Sequence, residues 1–137
     1  MRIIKHEVTL NEGEIYAGIV VGGNEQVDGD LLPGESKHAD YHLIILPQEV
    51  EKINWQDARD WAKSIGGDLP TLLEFKFLYL NTGNQFMKEY NFYWSREPNP
   101  NAISEAMMQN FREGHQITNY KDSINGCRAR AIRRELA

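Results

Sequence analysis

Residue types that can support chemistry occur at close spacing at His38, Asp40 and His42. In an extended strand alternate side chains share one face, so two imidazoles and a carboxylate could together bind zinc or another transition metal. The local sequence supplies no fourth ligand, and the pattern is more typical of the solvated face of a strand whose other face, with Leu43 and Ile45, is core. We therefore expect no cofactor.

Cys127 is the only cysteine, which rules out a disulfide within the chain and favours a reducing compartment. A catalytic thiol needs a nearby base and an electropositive setting. Alternation along a strand turns Arg128 and Arg130 away from it, so we predict a buried core thiol beside Ala129 and Ala131. The common nucleotide, metalloprotease and hydrolase motifs are absent, and we predict that the protein is not an enzyme.

Four arginines, Arg128, Arg130, Arg133 and Arg134, cluster near the C-terminus and could contact phosphate. The formal net charge of −5 argues against nucleic acid as a partner. We predict that these arginines pair with carboxylates of the chain.

Polar and aromatic residues mix after position 93, in proportions typical of adaptable recognition surfaces. An ordinary polar sheet face would have the same composition. The candidate binding residues are Trp94, Arg96, Asn99, Asn101, Gln109, Asn110, Arg112, His115, Gln116, Asn119 and Tyr120. Trp94, Arg96, Arg112 and Tyr120 would be the anchors, because Trp, Tyr and Arg dominate interface energetics.

The elements that must position these residues fall into three parts of one domain, 1–137. Residues 1–50 predict strands at 2–10, 15–21 and 41–46, the last stopped by Pro47, with a long exposed hairpin loop at 22–40. Residues 92–134 predict strands at 92–94, 107–111, 116–120 and 127–132, with a loop at Pro98 and Pro100. Strands, then helices, then strands indicate an α+β fold with an antiparallel sheet.

Two helices are predicted over residues 54–81. Asn54 is a suitable N-cap for the first, whose apolar residues recur at helical spacing until Gly66 and Gly67. Thr71 and Glu74 form a capping box, in which the hydroxyl and the carboxylate each accept from a backbone N–H, so the second helix begins there.

The stretch from Asn54 to Glu74, with Trp-x-x-Ala leading through Gly-Gly-Asp-Leu-Pro into a second helix, resembles the two-helix segment of C-type-lectin-like domains. Residues 92–95 and 127–134 resemble small phage and prophage proteins that are similar to the C-terminal domain of a bacterial collagen-like adhesin. The resemblance implies a C-type-lectin-like fold with two helices packed on short antiparallel sheets. It also implies that the face following the second helix binds the ligand.

Glu97, Pro98 and Asn99 form the tripeptide with which sugar-binding C-type lectins hold calcium, as the resemblance implies. Calcium takes six to eight oxygen ligands, and this sequence offers two or three. We predict a proline-rich loop with solvated side chains.

Three functional hypotheses remain. The first is a non-enzymatic, phage- or prophage-type protein that binds a macromolecule, in the first place a protein, and works in the host cytoplasm or on the virion. The second is a receptor- or glycan-binding module of a virion or adhesin, and the most distant is a metal-dependent enzyme. A dimer or trimer is compatible with the first two. The N-terminus lacks the apolar region of a signal peptide and no apolar stretch is long enough to span a bilayer, so we expect neither secretion nor a membrane partner.

Overall fold

The computed structural model describes residues 8–22, 39–82 and 92–137. These form two helices and six strands, so the α+β class is confirmed. The elements are β1 (Ile15–Val20), β2 (Tyr41–Glu51), α1 (Trp55–Ser64), α2 (Leu72–Thr82), β3 (Phe92–Pro98), β4 (Glu105–Gln109), β5 (Gln116–Tyr120) and β6 (Cys127–Leu136). Of the strand predicted at 2–10, residues 2–7 lie outside the described residues and 8–10 are not in a strand. Most of the predicted loop at 22–40 also lies outside them.

The strands form one mixed sheet in the order β1-β2-β6-β3-β4-β5. The prediction of short antiparallel sheets is wrong in one pairing, because β3 and β6 run parallel. The chain crosses from β2 to β3 through both helices, and β6 later inserts between those two strands. Local turns specify the β3-β4-β5 meander, whereas long-range packing decides where β6 inserts.

Two prolines that the sequence places outside strands belong to them. β2 continues through Pro47, and β3 reaches Pro98. The pairing of β2 with β6 shifts register between Ile45 and Glu49, and that of β3 with β4 shifts between Trp94 and Pro98. A proline lacks the N–H that a regular ladder uses, and it is tolerated where the ladder is irregular. The predicted stop at Pro47 and the predicted loop at Pro98 are therefore corrected.

The predicted signals at the ends of α1 are present. The Asp57 N–H donates to Asn54 Oδ1 at 2.9 Å, which confirms the N-cap. Gly66 ends the helix with a φ of +83°, in the left-handed region. A Cβ on Gly67 would lie 2.8 Å from the Ile132 carbonyl oxygen, so only glycine allows this close approach to β6.

The capping box of α2 is also confirmed. The Thr71 N–H donates to Glu74 Oε1 at 2.8 Å, and the Glu74 N–H donates to Thr71 Oγ1 at 3.1 Å. A third acceptor comes from β3, where Glu97 Oε2 accepts from the Leu72 N–H at 2.6 Å. The two carboxylates at the N-terminus of α2 also interact favourably with the positive end of the helix dipole.

The helices cover opposite faces of the sheet. Tyr93 and Ile132 belong to the core cluster that contains Phe75 of α2. The adjacent residues Trp94 and Ala131 belong to the cluster that contains the apolar face of α1. Neighbouring residues of a strand point to opposite faces, so the sheet separates two cores.

A buried charge network joins the sheet to α2. Arg134 Nε and Nη2 donate to the two oxygens of Glu74 at 2.6 and 2.7 Å, and Nη1 donates to Asp68 Oδ2 at 2.7 Å. Arg96 donates to the same Asp68 oxygen at 2.9 Å, and the Tyr41 hydroxyl donates to Glu74 Oε2 at 2.6 Å. Burial by itself lowers the pKa of Arg134, but attraction to and hydrogen bonds with Glu74 and Asp68 outweigh it and raise that pKa.

Replacing Arg134 should destabilise the protein strongly. In Arg134→Met the carboxylates of Glu74 and Asp68 lose a guanidinium that is itself 2% exposed, and breaking one side of such a pair costs about 3–5 kcal/mol. Urea denaturation measures the free energy of unfolding. The exposed Lys63→Met should stay within about 0.5 kcal/mol of the unchanged protein. An equally small change for Arg134→Met would show that the network contributes little.

A second ion pair, between Glu14 and Arg133, makes stability depend on pH. Arg133 donates to both Glu14 oxygens at 3.0 and 2.9 Å, and its hydrogen bond is the main reason why the pKa of Glu14 lies below the ordinary 4.5. A lowered carboxyl pKa stabilises the fold above the unfolded value, and this contribution disappears as the pH falls through 4.5 and the lower folded pKa.

We expect Glu14→Gln to be less stable than the unchanged protein at neutral pH, with the difference shrinking as the pH falls below about 4.5. Urea denaturation across this pH range measures it. The control is Glu12→Gln at an exposed side chain. A difference that stays constant with pH would contradict the role of the ion pair.

Candidate functional site

Three of the predicted binding residues are buried, which corrects their assignment to an exposed surface. Trp94 packs in the α1 core, and its Nε1 donates to the Ile53 carbonyl at 2.8 Å. Gln109 Nε2 donates to the Phe75 carbonyl at 3.1 Å. Asn110 Oδ1 accepts from backbone N–H groups of the β4–β5 turn. These side chains form hydrogen bonds with backbone groups of the chain itself. Residue types alone cannot distinguish a polar side chain with such a structural role from one that binds a partner.

Two further candidates tie the sheet to the start of α2. Arg96 forms the ion pair with Asp68 described above, and its side chain is 13% exposed. Gln116 Nε2 donates to the Leu72 carbonyl at 3.2 Å and to Gln109 Oε1 at 2.8 Å. Both residues therefore position α2 against the sheet.

The remaining candidates lie at the two ends of the β4–β5 hairpin. Arg112 and His115 are exposed in the turn that joins the strands. Asn99, Asn101 and Tyr120 lie at the opposite end. The anchors Arg112 and Tyr120 are thus separated by the length of β5 and do not form one cluster.

Asn119 is directed inward. Its Nδ2 lies 3.6 Å from Cys127 Sγ and 3.8 Å from Met108 Sδ, and its Oδ1 accepts from the Ser123 hydroxyl at 3.1 Å. It fixes the turn that follows β5, and it supports Tyr120 by accepting from the backbone N–H of that residue at 2.8 Å.

Exposed apolar side chains that were not among the candidates occur at the same end of the hairpin as Tyr120. Tyr120 is 61% exposed, Ile103 93% and Ile124 45%. Glu105 pairs with Tyr120, and the Lys121 N–H donates to the Ser104 carbonyl at 2.8 Å, so the loop before β4 and the turn after β5 lie at the same end. We call Ile103, Tyr120 and Ile124 the tip patch. The sequence does contain a signal for them. Ile103 and Ile124 are β-branched apolar residues that stand in turn sequences, without the alternating apolar neighbours of a buried strand.

The tripeptide at residues 97–99 makes contacts within the chain. Glu97 caps α2, as described above. Asn99 Nδ2 donates to Glu105 Oε1 at 3.2 Å, and Asn99 Oδ1 accepts from the Asn101 N–H at 3.1 Å. Glu97 thus fixes the start of α2, and the contacts of Asn99 order the loop before β4.

The proposed metal ligands do not come together in the part of the chain that can be described. His38 lies outside it. Asp40 Oδ1 accepts from the Gly22 N–H at 2.7 Å, and His42 Nδ1 lies 2.8 Å from the Tyr16 hydroxyl. Within residues 8–22, 39–82 and 92–137, no group of three or more His, Cys, Asp or Glu is arranged to hold a metal ion.

Tyr16 and His42 line a cleft of about 370 Å³ with Val8 and Leu10. Desolvation raises the pKa of the Tyr16 phenol, which therefore stays protonated at neutral pH. Tyr16 and His42 can share one hydrogen bond at the cleft. The neutral phenol of Tyr16 is a poor general base.

Cys127 is buried, as predicted. Desolvation raises the pKa of its thiol, and the hydrogen bond from Asn119 opposes this only in part. The thiolate is the nucleophilic form of cysteine, so this environment suppresses reactivity.

Most of the C-terminal arginines contact carboxylates, which confirms that prediction. Arg128 contacts Glu49 at 3.2 Å and Glu51 at 2.7 Å, while Arg133 and Arg134 form the pairs described above. Arg130 donates to the Leu46 carbonyl at 3.2 Å. The cluster thus makes its contacts with carboxylates and a carbonyl of the chain itself.

No helix in the described residues is long and apolar enough to cross a membrane. No known protein family matches the chain, and no curated protein matches it.

Proposed function

We propose that the protein is a non-enzymatic binding module that recognises a protein partner through the tip patch and the polar residues around it. The observation that carries this proposal is the exposure of Tyr120 and Ile103 at one end of the β4–β5 hairpin. Large apolar side chains surrounded by polar residues are typical of interaction sites.

The chemistry of the surroundings suits protein recognition. An exposed tyrosine supplies a large contact area with few rotatable bonds and carries a hydroxyl that can donate or accept. Asn101 is exposed on the adjoining loop and offers an amide at the rim. A hydrophobic centre with a polar rim is the usual arrangement of a protein interface.

The position of the patch supports the same function. Asn119 and Ser123 fix the turn beneath Tyr120, and β4 holds the other side of β5. A contact surface that is ordered before binding loses less conformational entropy when it binds.

The proposal also includes the fold family of the protein and its phage or prophage type. We propose a C-type-lectin-like fold of the phage or prophage type, supported by the motif of residues 54–74 and by the two capped helices that it forms. For such a protein in the host cytoplasm, the action would be steric occupation of the partner's surface.

Replacing the patch residues should weaken partner binding without unfolding the protein. Tyr120→Ala and Ile103→Ser should each weaken binding about ten-fold or more, since a central interface residue contributes about 2 kcal/mol. The measurement is affinity capture from host lysate, followed by titration of the captured protein against each variant. Melting temperatures should stay unchanged, because both side chains are exposed.

Leu80→Ser is the matched control, since Leu80 is 80% exposed on α2, away from the patch. Equal loss of binding in the control would indicate nonspecific hydrophobic capture and contradict the proposal. If the protein binds a glycan array and captures no protein, the receptor- or glycan-binding hypothesis replaces this proposal.

A further inference from the structure

The turn between β5 and β6 contains Asn125 followed by Gly126, and this is the only Asn-Gly pair in the sequence. The Cys127 N–H donates to the Ile124 carbonyl at 3.1 Å across the pair, which closes a β-turn. Gly126 has a φ of +73°, in the left-handed region, at the third position of this turn. A residue with a side chain is strained in that conformation, so the fold requires a glycine directly after Asn125.

The two groups of this pair that can react with each other are accessible and unengaged. Asn125 and Gly126 are both exposed. In the described part of the chain, the Asn125 side-chain amide has no hydrogen-bond partner and the Gly126 N–H donates to no acceptor. The glycine nitrogen is also unhindered, because no Cβ lies beside it. It can therefore approach Asn125 Cγ without first losing a hydrogen bond of its own.

The reaction open to this pair is succinimide formation. The Gly126 nitrogen attacks Asn125 Cγ, the new C–N bond closes a five-membered ring, and the side-chain nitrogen leaves as ammonia with the proton that the backbone nitrogen gives up. Water then opens the ring. Cleavage of the new C–N bond gives aspartate, whereas cleavage of the original peptide bond gives isoaspartate, in which the main chain runs through the side-chain carbons. Water is the only co-reactant.

The turn leads directly into the pairing that joins the two halves of the sheet. This parallel pairing connects β1-β2-β6 to β3-β4-β5. In the described residues its register comprises two pairs, Phe92 with Cys127 and Tyr93 with Arg128. The Gly126 carbonyl accepts from the Phe92 N–H at 3.1 Å, next to the first of these pairs. A change in the path of the main chain just before Gly126 therefore acts on a short junction.

We propose that Asn125 is a site of spontaneous deamidation and that its isoaspartate product weakens the junction between β6 and β3. Isoaspartate inserts an extra carbon into the main chain immediately before Gly126, which displaces the carbonyl that accepts from Phe92. The aspartate product keeps the original main chain and adds only a negative charge at an exposed position. The reaction needs no partner, so the proposal does not depend on the proposed function.

Incubation of the purified full chain at mildly alkaline pH, followed by peptide mapping with mass spectrometry, tests the site. Base removes the proton of the attacking nitrogen, so the rate at Asn125 should rise with pH. The internal control is Asn101, which is also exposed but precedes Ala102, whose Cβ hinders the nitrogen. The rate at Asn125 should exceed the rate at Asn101 about ten-fold or more, and isoaspartate should be present among the products.

A variant tests the ring-closing step. Asn125→Gln keeps the amide but must form a six-membered ring, so modification at position 125 should slow about ten-fold or more. Asn101→Gln makes the same change in the loop before β4 and should leave the rate at Asn125 unaltered. Circular dichroism melting of the fresh variants verifies that each one folds.

A comparison of the two products tests the effect on the sheet. The isoaspartate form, separated by chromatography from incubated protein, should unfold at a lower urea concentration than fresh Asn125→Asp, which carries the aspartate product on an ordinary main chain. Fresh Asn125→Asp should unfold close to the unchanged protein, because the side chain is exposed and makes no hydrogen bond.

Equal rates at Asn125 and Asn101, or an intact Asn125 when Asn101 is already modified, would overturn the proposed site. An isoaspartate form as stable as Asn125→Asp would overturn the effect on the junction between β6 and β3. These measurements do not use partner capture, so a failure of the proposed function is detected separately.

Discussion

Arg134 carries a buried positive charge to the place where β6, the turn before α2 and the first turn of α2 meet. A charge removed from water is costly unless its hydrogen bonds and its charge are matched. Here the carboxylates of Glu74 and Asp68 accept from its guanidinium, and Arg96 adds a second positive charge beside Asp68. Two positive and two negative groups thus balance one another at the centre of the fold.

Glu74 shows how much of the architecture depends on this balance. Its carboxylate closes the capping box of α2, accepts from Tyr41 of β2 and binds Arg134 of β6. Helix initiation, the register of a central strand and the docking of α2 therefore share one side chain. A neutral residue could cap the helix, but it could not also satisfy the arginine.

The same network accounts for the position of several conspicuous polar residues. Arg96, Gln109 and Gln116 satisfy groups at the junction between the sheet and α2. What remains exposed around the hairpin is a small apolar patch at one end and an uncharged strand edge.

The sequence by itself determined the local structure. Asn54, Gly66 and the Thr71–Glu74 pair marked the helix ends, because each satisfies or releases backbone groups within a few residues. The α+β class followed from the order of the elements, and the burial of Cys127 followed from its small apolar neighbours.

Only the tertiary structure decided the parallel pairing of β3 with β6, the continuation of β2 through Pro47 and of β3 to Pro98, and the burial of Trp94 and Gln109. Each depends on contacts between residues far apart in the chain, such as Gln109 with the Phe75 carbonyl. Composition indicates that a side chain is polar, but it cannot show whether its partner is a buried carbonyl or another molecule. That distinction moved the candidate site from a broad polar face to the end of one hairpin.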